Sequence, residues 1–449
     1  MNVGTTEWYY RPTSSTTAGG HDQEAVGRRT IALVRRRLIP FMFLLYIVAY
    51  LDRINVGFAA LQMNQDLGFS DAVYGLGAGI FFLGYVVFEI PSNLILHRVG
   101  ARVWIARIMI TWGFVSAAMM FVQSAAMFYA LRLLLGIAEA GFFPGMLFYL
   151  THWFPERERA RAVALFMTAT AVAGLIGGPI SGALLQLHGV GGLAGWQWLF
   201  VLEGLPAVVL GVVVWFYLAE GPQDARWLPP AERAWLIETL ERERDATAAR
   251  DGYTARSALV SGRIWALGGL YFLLVTAMYG VAFWLPQIVR NLSGFGDFAV
   301  GLASALPYLA ATISMVPVAR HSDRTGERRW HVAVPCALGG LAMIATAYAD
   351  NPIAGLALLS CGAIGIWSAL GPCWALPMRV LSGPAAAAGL ALINSIGNVG
   401  GFVGPSLVGY ARQATNSFEG GLLVIAASMI GAAIVAVSIK ETPRADSRR

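Results

Sequence analysis

Four charged residues stand inside runs that are otherwise apolar. Asp52 and Arg53 interrupt LIPFMFLLYIVAYLDRINVGFAALQ at residues 38–62, and Arg132 and Glu139 belong to RLLLGIAEAGFFPG at residues 132–145. Such pairs can do two kinds of chemistry. A guanidinium, always charged and planar, holds a carboxylate through two parallel hydrogen bonds, while carboxylates load and release protons. An Asp or Arg at the centre of a membrane helix costs about 2.5–3.5 kcal/mol, so it faces protein or water and usually marks a pathway. Adjacent helical residues point about 100° apart. Asp52 and Arg53 therefore cannot share a direction, and one can line a cavity while the other faces a neighbouring helix. Tyr46, Tyr50 and Arg53 follow i, i+4, i+7 spacing and form a polar stripe. Arg132, Gly136 and Glu139 repeat that spacing, which predicts a second charged pair on one face.

The elements that must position these residues are membrane helices. The chain of 449 residues is 57% hydrophobic and 13% charged, against about 25% charged in soluble domains. Apolar spans fall near 38–63, 71–96, 103–122, 124–152, 160–187 and 197–219, and again near 263–290, 297–319, 330–348, 353–380, 384–412 and 418–439. This predicts an all-α membrane protein of twelve transmembrane helices in two six-helix, pseudo-symmetric bundles. The expected organisation is a tail at 1–37, a first bundle at 38–219, a central loop at 220–262, a second bundle at 263–439 and a tail at 440–449. The first 27 residues carry no signal-peptide pattern and are expected to form an unstructured tail. In the central loop, LPPAERAWLIETLERERD has the pattern of an amphipathic surface helix.

The halves also rhyme. IGGPISG at 176–182 returns as FVGPSLVG at 402–409, and HRVGAR at 97–102 as SDRTGERR at 322–329. Corresponding elements in two halves imply a parallel repeat, with a substrate site between the halves near the midplane. Arginines crowd alternate connections, whereas MNQDLGFSD, QSAA, HGVGGLAG, NLSGFGD, YADNP and ATNSFEG hold none. By the positive-inside rule both termini are cytoplasmic. The net charge of +6 therefore reflects topology, and no nucleic-acid partner is expected. Cys336, Cys361 and Cys373 form no CxxC pair, so neither a disulfide nor a metal site is predicted.

From residue 37 to residue 440 the chain resembles the major facilitator superfamily. The match is closer to its anion:cation symporter branch, which includes bacterial carriers of tartrate, galactonate, hexuronates, phthalate and hydroxyphenylacetate. The motifs are YLDRINVG at 50–57, FEIPSNL at 88–94, RLLLGIAEAGFFPG, GPCWALPMRVLSG at 371–383 and LINSIGNVGGFVGP at 392–405. The resemblance implies a multi-pass protein of the bacterial inner membrane, working by proton-coupled uptake of a small organic anion; a monomer without a cofactor is expected. It assigns substrate binding to Arg53, Arg132, Tyr50 and Tyr85, and proton coupling to Asp52 and Glu139; Asn394, which shares a face of the eleventh span with Asn398, and Trp374 as a pocket wall complete the expected substrate-binding set. The two rhyming loops place a cytoplasmic gate at Arg98, Arg102, Asp323 and Arg324. The family's loop usually reads G-x-x-x-D-R-x-G-R-[RK], and here Asn93 and His97 replace its glycine and aspartate. Where sugar-acid carriers place a glutamine on the fifth helix, this chain offers Thr168 or Thr170.

Glu89, Glu203, His97 and His152 read as structural. The alternative function is a drug or metabolite efflux antiporter of the same fold, for which membrane carboxylates without two matched arginines are expected. A transporter-like receptor would need a signalling domain, and neither the head nor the central loop resembles one. An enzyme is not expected, because no nucleophile with a base, metal cluster or phosphate loop is apparent.

Overall fold

In lipid every backbone N–H and C=O must be satisfied internally, so long apolar runs close into helices. The computed structural model describes residues 16–248, 261–377 and 384–439, and nearly all of them are helical. The first half comprises α1 (Thr16–Leu67), α2 (Asp71–Val99), α3 (Ala101–Ala118), α4 (Ala125–Glu139), α5 (Phe142–Thr151), α6 (Glu156–Leu185) and α7 (Gly195–Tyr217). A connecting helix, α8 (Pro230–Ala248), follows. The second half comprises α9 (Gly262–Ser293), α10 (Asp297–Thr325), α11 (Arg329–Ala347), α12 (Pro352–Ala375), α13 (Pro384–Thr415) and α14 (Phe418–Ser438). Eleven stretches among the described residues are long and apolar enough to cross a membrane, with α4 and α5 joined in one. The charge-bearing α1 supplies the twelfth span. Several helices start at the arginine-poor end under side-chain caps: Ser70 for α2, Ser124 for α4, Asn351 for α12 and Ser417 for α14.

Two differences from the sequence reading have physical causes. The expectation of an unstructured head fails from Thr16 onward, where α1 begins; residues 1–15 and 440–449 lie outside the described residues. Gly27, Thr30, Ile31, Val34 and Leu38 make one buried stripe on that extension. The α8 helix packs on it: Trp235 occupies the space beside Gly27, and Arg29 meets Glu232 at 3.4 Å. The stripe was masked by Arg28, Arg29 and Arg35 to Arg37 on the intervening positions. The span at 124–152 is also broken rather than continuous. Ala140 is extended and Gly141 is left-handed at φ 87°, a conformation that glycine adopts without steric cost.

The halves meet along α2 with α13, α6 with α10, and α1 with α9. Small residues let the backbones approach closely. A Cβ on Gly75 would lie 2.6 Å from the Pro405 carbonyl oxygen and 3.0 Å from Gly409 Cα. Gly178 and Gly301 face each other in the same manner between α6 and α10. Both seams lie toward the arginine-poor end, and both use glycines of the rhyming GGPISG and VGPSLVG segments.

Candidate functional site

Arg53 stands between the two halves. Its Nη2 donates to the Glu139 carboxylate on α4, forming a buried ion pair, and its Nη1 donates to the Tyr279 hydroxyl of α9 at 3.1 Å. The rings of Phe81 and Tyr85, both from α2, have their centres 5.5 Å from the guanidinium carbon. A desolvated cation gains from such ring faces. Its Nε is buried without a partner. Glu139 closes α4 immediately before the break, and Ser92 of α2 donates to the Ala140 carbonyl at 2.6 Å. A side chain on Gly141 would strike Ser92, so the break holds the end of α4 against α2.

Asp52 turns away from Arg53, as their angular separation on the helix requires. Its Oδ1 accepts from the Ser116 hydroxyl of α3 and from the Asn55 amide at 3.2 Å, while Oδ2 has no partner. Arg132 and Glu139 do not form the expected second pair. Arg132 donates from Nε to the Gly77 carbonyl at 3.2 Å and from Nη2 to the Ala78 carbonyl at 3.0 Å. It also lies over Phe81 and Phe283, 5.2 and 5.7 Å from their centres. Residues seven apart on a helix are separated by about 10 Å of rise, and the carboxylate of Glu139 is already engaged by Arg53 from a different helix. In this conformation Arg132 ties α4 to α2 through main-chain oxygens.

The remaining candidates surround this centre. Tyr50 is buried near Tyr279 and Tyr308, and Tyr85 stands beneath Arg53. Trp374 meets Tyr271 edge-on at 4.8 Å. Asn394 donates to Glu89 at 2.9 Å, an α13 to α2 contact across the halves, so the carboxylate read as structural belongs to this same region. Thr168 and Thr170 spend their hydroxyls on their own helix, donating to the Leu165 and Met167 carbonyls. Tyr279 and Tyr308 were missed. The available signal was a hydroxyl-bearing aromatic in the middle of each of two apolar second-half runs.

The two ends of the molecule differ. At the arginine-poor end, ties cross between the halves: Gln62 donates to Asp297 at 2.6 Å, Arg290 to the Leu61 carbonyl at 2.9 Å, and Arg412 pairs with Asp71 at 2.8 Å. Tyr74 also donates to the Phe283 carbonyl at 2.6 Å. At the arginine-rich end, the expected gate residues have contacts inside their own half. Arg102 lies 4.0 Å from Glu220, whose carboxylate also receives the Ala101 and Arg102 amides, and Asp323 pairs with Arg328 at 2.6 Å. Arg98 and Arg324 are exposed. Nearby, Glu327 accepts from the Trp330 and His331 amides at 2.8 and 3.3 Å and meets the His331 ring at 2.8 Å. Burial alone would raise its proton affinity, but these donors outweigh it and hold the carboxyl below its ordinary range.

The chain is similar to known transporters over nearly its whole length. A protein of Agrobacterium vitis named "Putative tartrate transporter" is 50% identical over 414 residues, covering 92% of this chain and 95% of that protein. A quinolone resistance transporter of Acinetobacter baumannii is 41% identical over 401 residues, covering 89% and 92%. Among solved structures, a bacterial homologue of the human lysosomal transporter Spinster superposes with a TM-score of 0.72 at 17% identity, covering 90% of this chain and 95% of that one. The sequence profile of the Major Facilitator Superfamily matches residues 42–405. Two packed six-helix halves around a buried charged centre, together with these matches, make the chain a multi-pass membrane transporter and not an enzyme: it belongs to the Major Facilitator Superfamily.

Proposed function

We propose that the chain takes up a small organic anion, such as a hydroxy or sugar acid or an aromatic carboxylate, together with protons. The observation that carries this reading is the buried Arg53–Glu139 pair, shared with Tyr279 of the opposite half. Arg53 has the planar donor fork a carboxylate needs, and Glu139 and Tyr279 now hold one terminal nitrogen each. An arriving carboxylate displaces Glu139, which is then left buried without its cation and takes up a proton. Anion and proton thereby favour each other, which is the linkage symport requires. Asp52 is the second carboxylate of the coupling machinery, while Tyr50, Tyr85, Trp374 and Asn394 shape the pocket and Arg132 sets its wall.

The contacts between halves support alternating access. Positive-inside placement puts the arginine-rich end and both termini in the cytoplasm, in a bacterial inner membrane. The ties at the other end then hold the outside closed, so the described conformation faces inward. In the outward-facing form Arg98, Arg102, Asp323 and Arg324 exchange their local partners for contacts across the halves. The identity with the Agrobacterium protein favours hydroxy diacids such as tartrate among the anions. The Acinetobacter relative favours a second reading, export of an organic molecule by antiport.

The test is uptake of labelled hydroxy diacids, sugar acids and aromatic acids into proteoliposomes. Symport predicts accumulation driven by an inward proton gradient and abolished by a protonophore. Accumulation that instead requires an outward flow of protons would replace uptake by export.

A further inference from the structure

A second polar cluster lies wholly within the first half, on α1, α3, α6 and α7. Ser116 and Asn55 both donate to one oxygen of Asp52, and Ser181 donates to Glu203 Oε1 at 2.8 Å. Glu203 is within electrostatic reach of Asp52 and of the Asn55 amide. All five side chains are at least nine-tenths buried. One oxygen on each of Asp52, Glu203 and Asn55 has no hydrogen-bond partner. Among the described residues the cluster therefore contains two acids and neutral donors, with no cation bonded to either carboxylate. The other charged groups that act on Asp52 come from α4, Glu139 and Arg132, while Arg53 is turned to Glu139 and Arg132 to the α2 carbonyls. The side chains facing the cluster from α3 and α6 are the uncharged Ser116 and Ser181.

Two carboxylates removed from water without a bonded cation resist being ionised together. We propose that Asp52 and Glu203 share one proton across Asn55, and that Glu203 carries it in this conformation. The assignment to Glu203 follows from the donors. Asp52 receives the Ser116 and Asn55 bonds on one oxygen and lies within electrostatic reach of Arg132, whereas Glu203 holds Ser181 and only a share of the Asn55 amide, with no cation among the described residues acting on it; each acid keeps one oxygen on which the proton can sit. Glu203 is then a proton-storing residue one step removed from the substrate pathway. When the proton leaves for water, the cluster passes from one net negative charge to two, a change that Asp52 can sense on α1 next to Arg53. The use of this proton in coupling rests on the proposed symport, whereas its presence does not.

Infrared difference spectroscopy of the full-length protein in nanodiscs, at neutral pH and without substrate or gradient, reads the proton directly. The wild type should show a protonated carboxyl band that is lost in Glu203→Gln and retained in Glu139→Gln. Ser181→Ala removes the hydroxyl bond to Glu203 and should shift that band to higher frequency without abolishing it, which preserves the test if Glu203→Gln does not fold. An unchanged band in Glu203→Gln, or one that ignores Ser181→Ala, would overturn the proposal. Failure of symport itself would appear separately, as wild-type uptake indifferent to a proton gradient.

Discussion

Replacing Glu139 by Gln keeps the side-chain volume and an acceptor oxygen for Arg53 but removes both the charge and the proton site. In the wild type, an anion that takes the Arg53 fork must first separate a buried ion pair, in which Glu139 is 1% exposed. Breaking such a pair by removing one partner costs about 3–5 kcal/mol. Even the lower figure corresponds to about two powers of ten in affinity. Protonating Glu139 relieves that cost, so wild-type affinity should weaken about tenfold for each pH unit once Glu139 must gain a proton for the anion to bind. In Glu139→Gln the dependence should flatten, and at alkaline pH the variant should bind the anion more tightly than the wild type. Gradient-driven accumulation should collapse while counterflow exchange at equal pH survives in part. The measurement is equilibrium binding of the transported acid to purified protein across a pH series, paired with both transport modes. A Glu139→Gln slope equal to the wild-type slope would refute the competition between Glu139 and substrate for Arg53.

Arg132→Lys should lose one of the two bonds to the Gly77 and Ala78 carbonyls, lowering thermal stability in detergent by about 1.5–3 kcal/mol. Lost substrate affinity at unchanged stability would instead make Arg132 a direct ligand. Gly141→Ala forces a side chain into a left-handed backbone and onto Ser92, and should cost at least about 1 kcal/mol of stability by thermal unfolding. An unperturbed melting curve would contradict the break as described. Asp323→Asn should shift cysteine labelling between the two sides of the membrane; an intact labelling pattern and turnover would remove Asp323 from the gate. Because the folded-state proton affinity of Glu327 is depressed, its contribution is complete above its ordinary value of 4.5 and disappears as pH falls through the lowered folded value. Glu327→Gln should therefore reduce the melting temperature at neutral pH, with the difference shrinking in acid. A pH-independent difference would mean that the charge is irrelevant.

The centre was legible where the physics is local. The angle between adjacent helical residues sent Asp52 and Arg53 to different partners, and the apolar runs and their arginine-free connections gave the helices and their alternation. Partnering was not legible, even for two side chains on one helix: the expected Arg132–Glu139 pair does not form. Arg132 escaped because its partners are the main-chain oxygens of Gly77 and Ala78, which carry no sequence mark. Asn394 to Glu89, and Arg53 to Tyr279, depend on how two halves more than two hundred residues apart come to rest. The break at Gly141 hid in an uninterrupted apolar run, since one left-handed glycine leaves no trace in hydropathy. The rhyme of GGPISG with VGPSLVG was visible, but its purpose came only from finding those glycines at the seams.

Those seams behave as a bearing. Where Gly75 meets Gly409 and Gly178 meets Gly301, backbone lies directly on backbone, without interdigitated side chains between the two glycines of each pair. The first joins the second helix to the eleventh span, and the second joins the fifth to the eighth, so exchanging the halves exchanges the two contacts. Under the proposed alternating access, a rocking of the halves would load both contacts at once. A bulky residue at any of these four glycines would act as grit, separating the surfaces and raising the barrier to every turnover while leaving the Arg53 centre chemically intact.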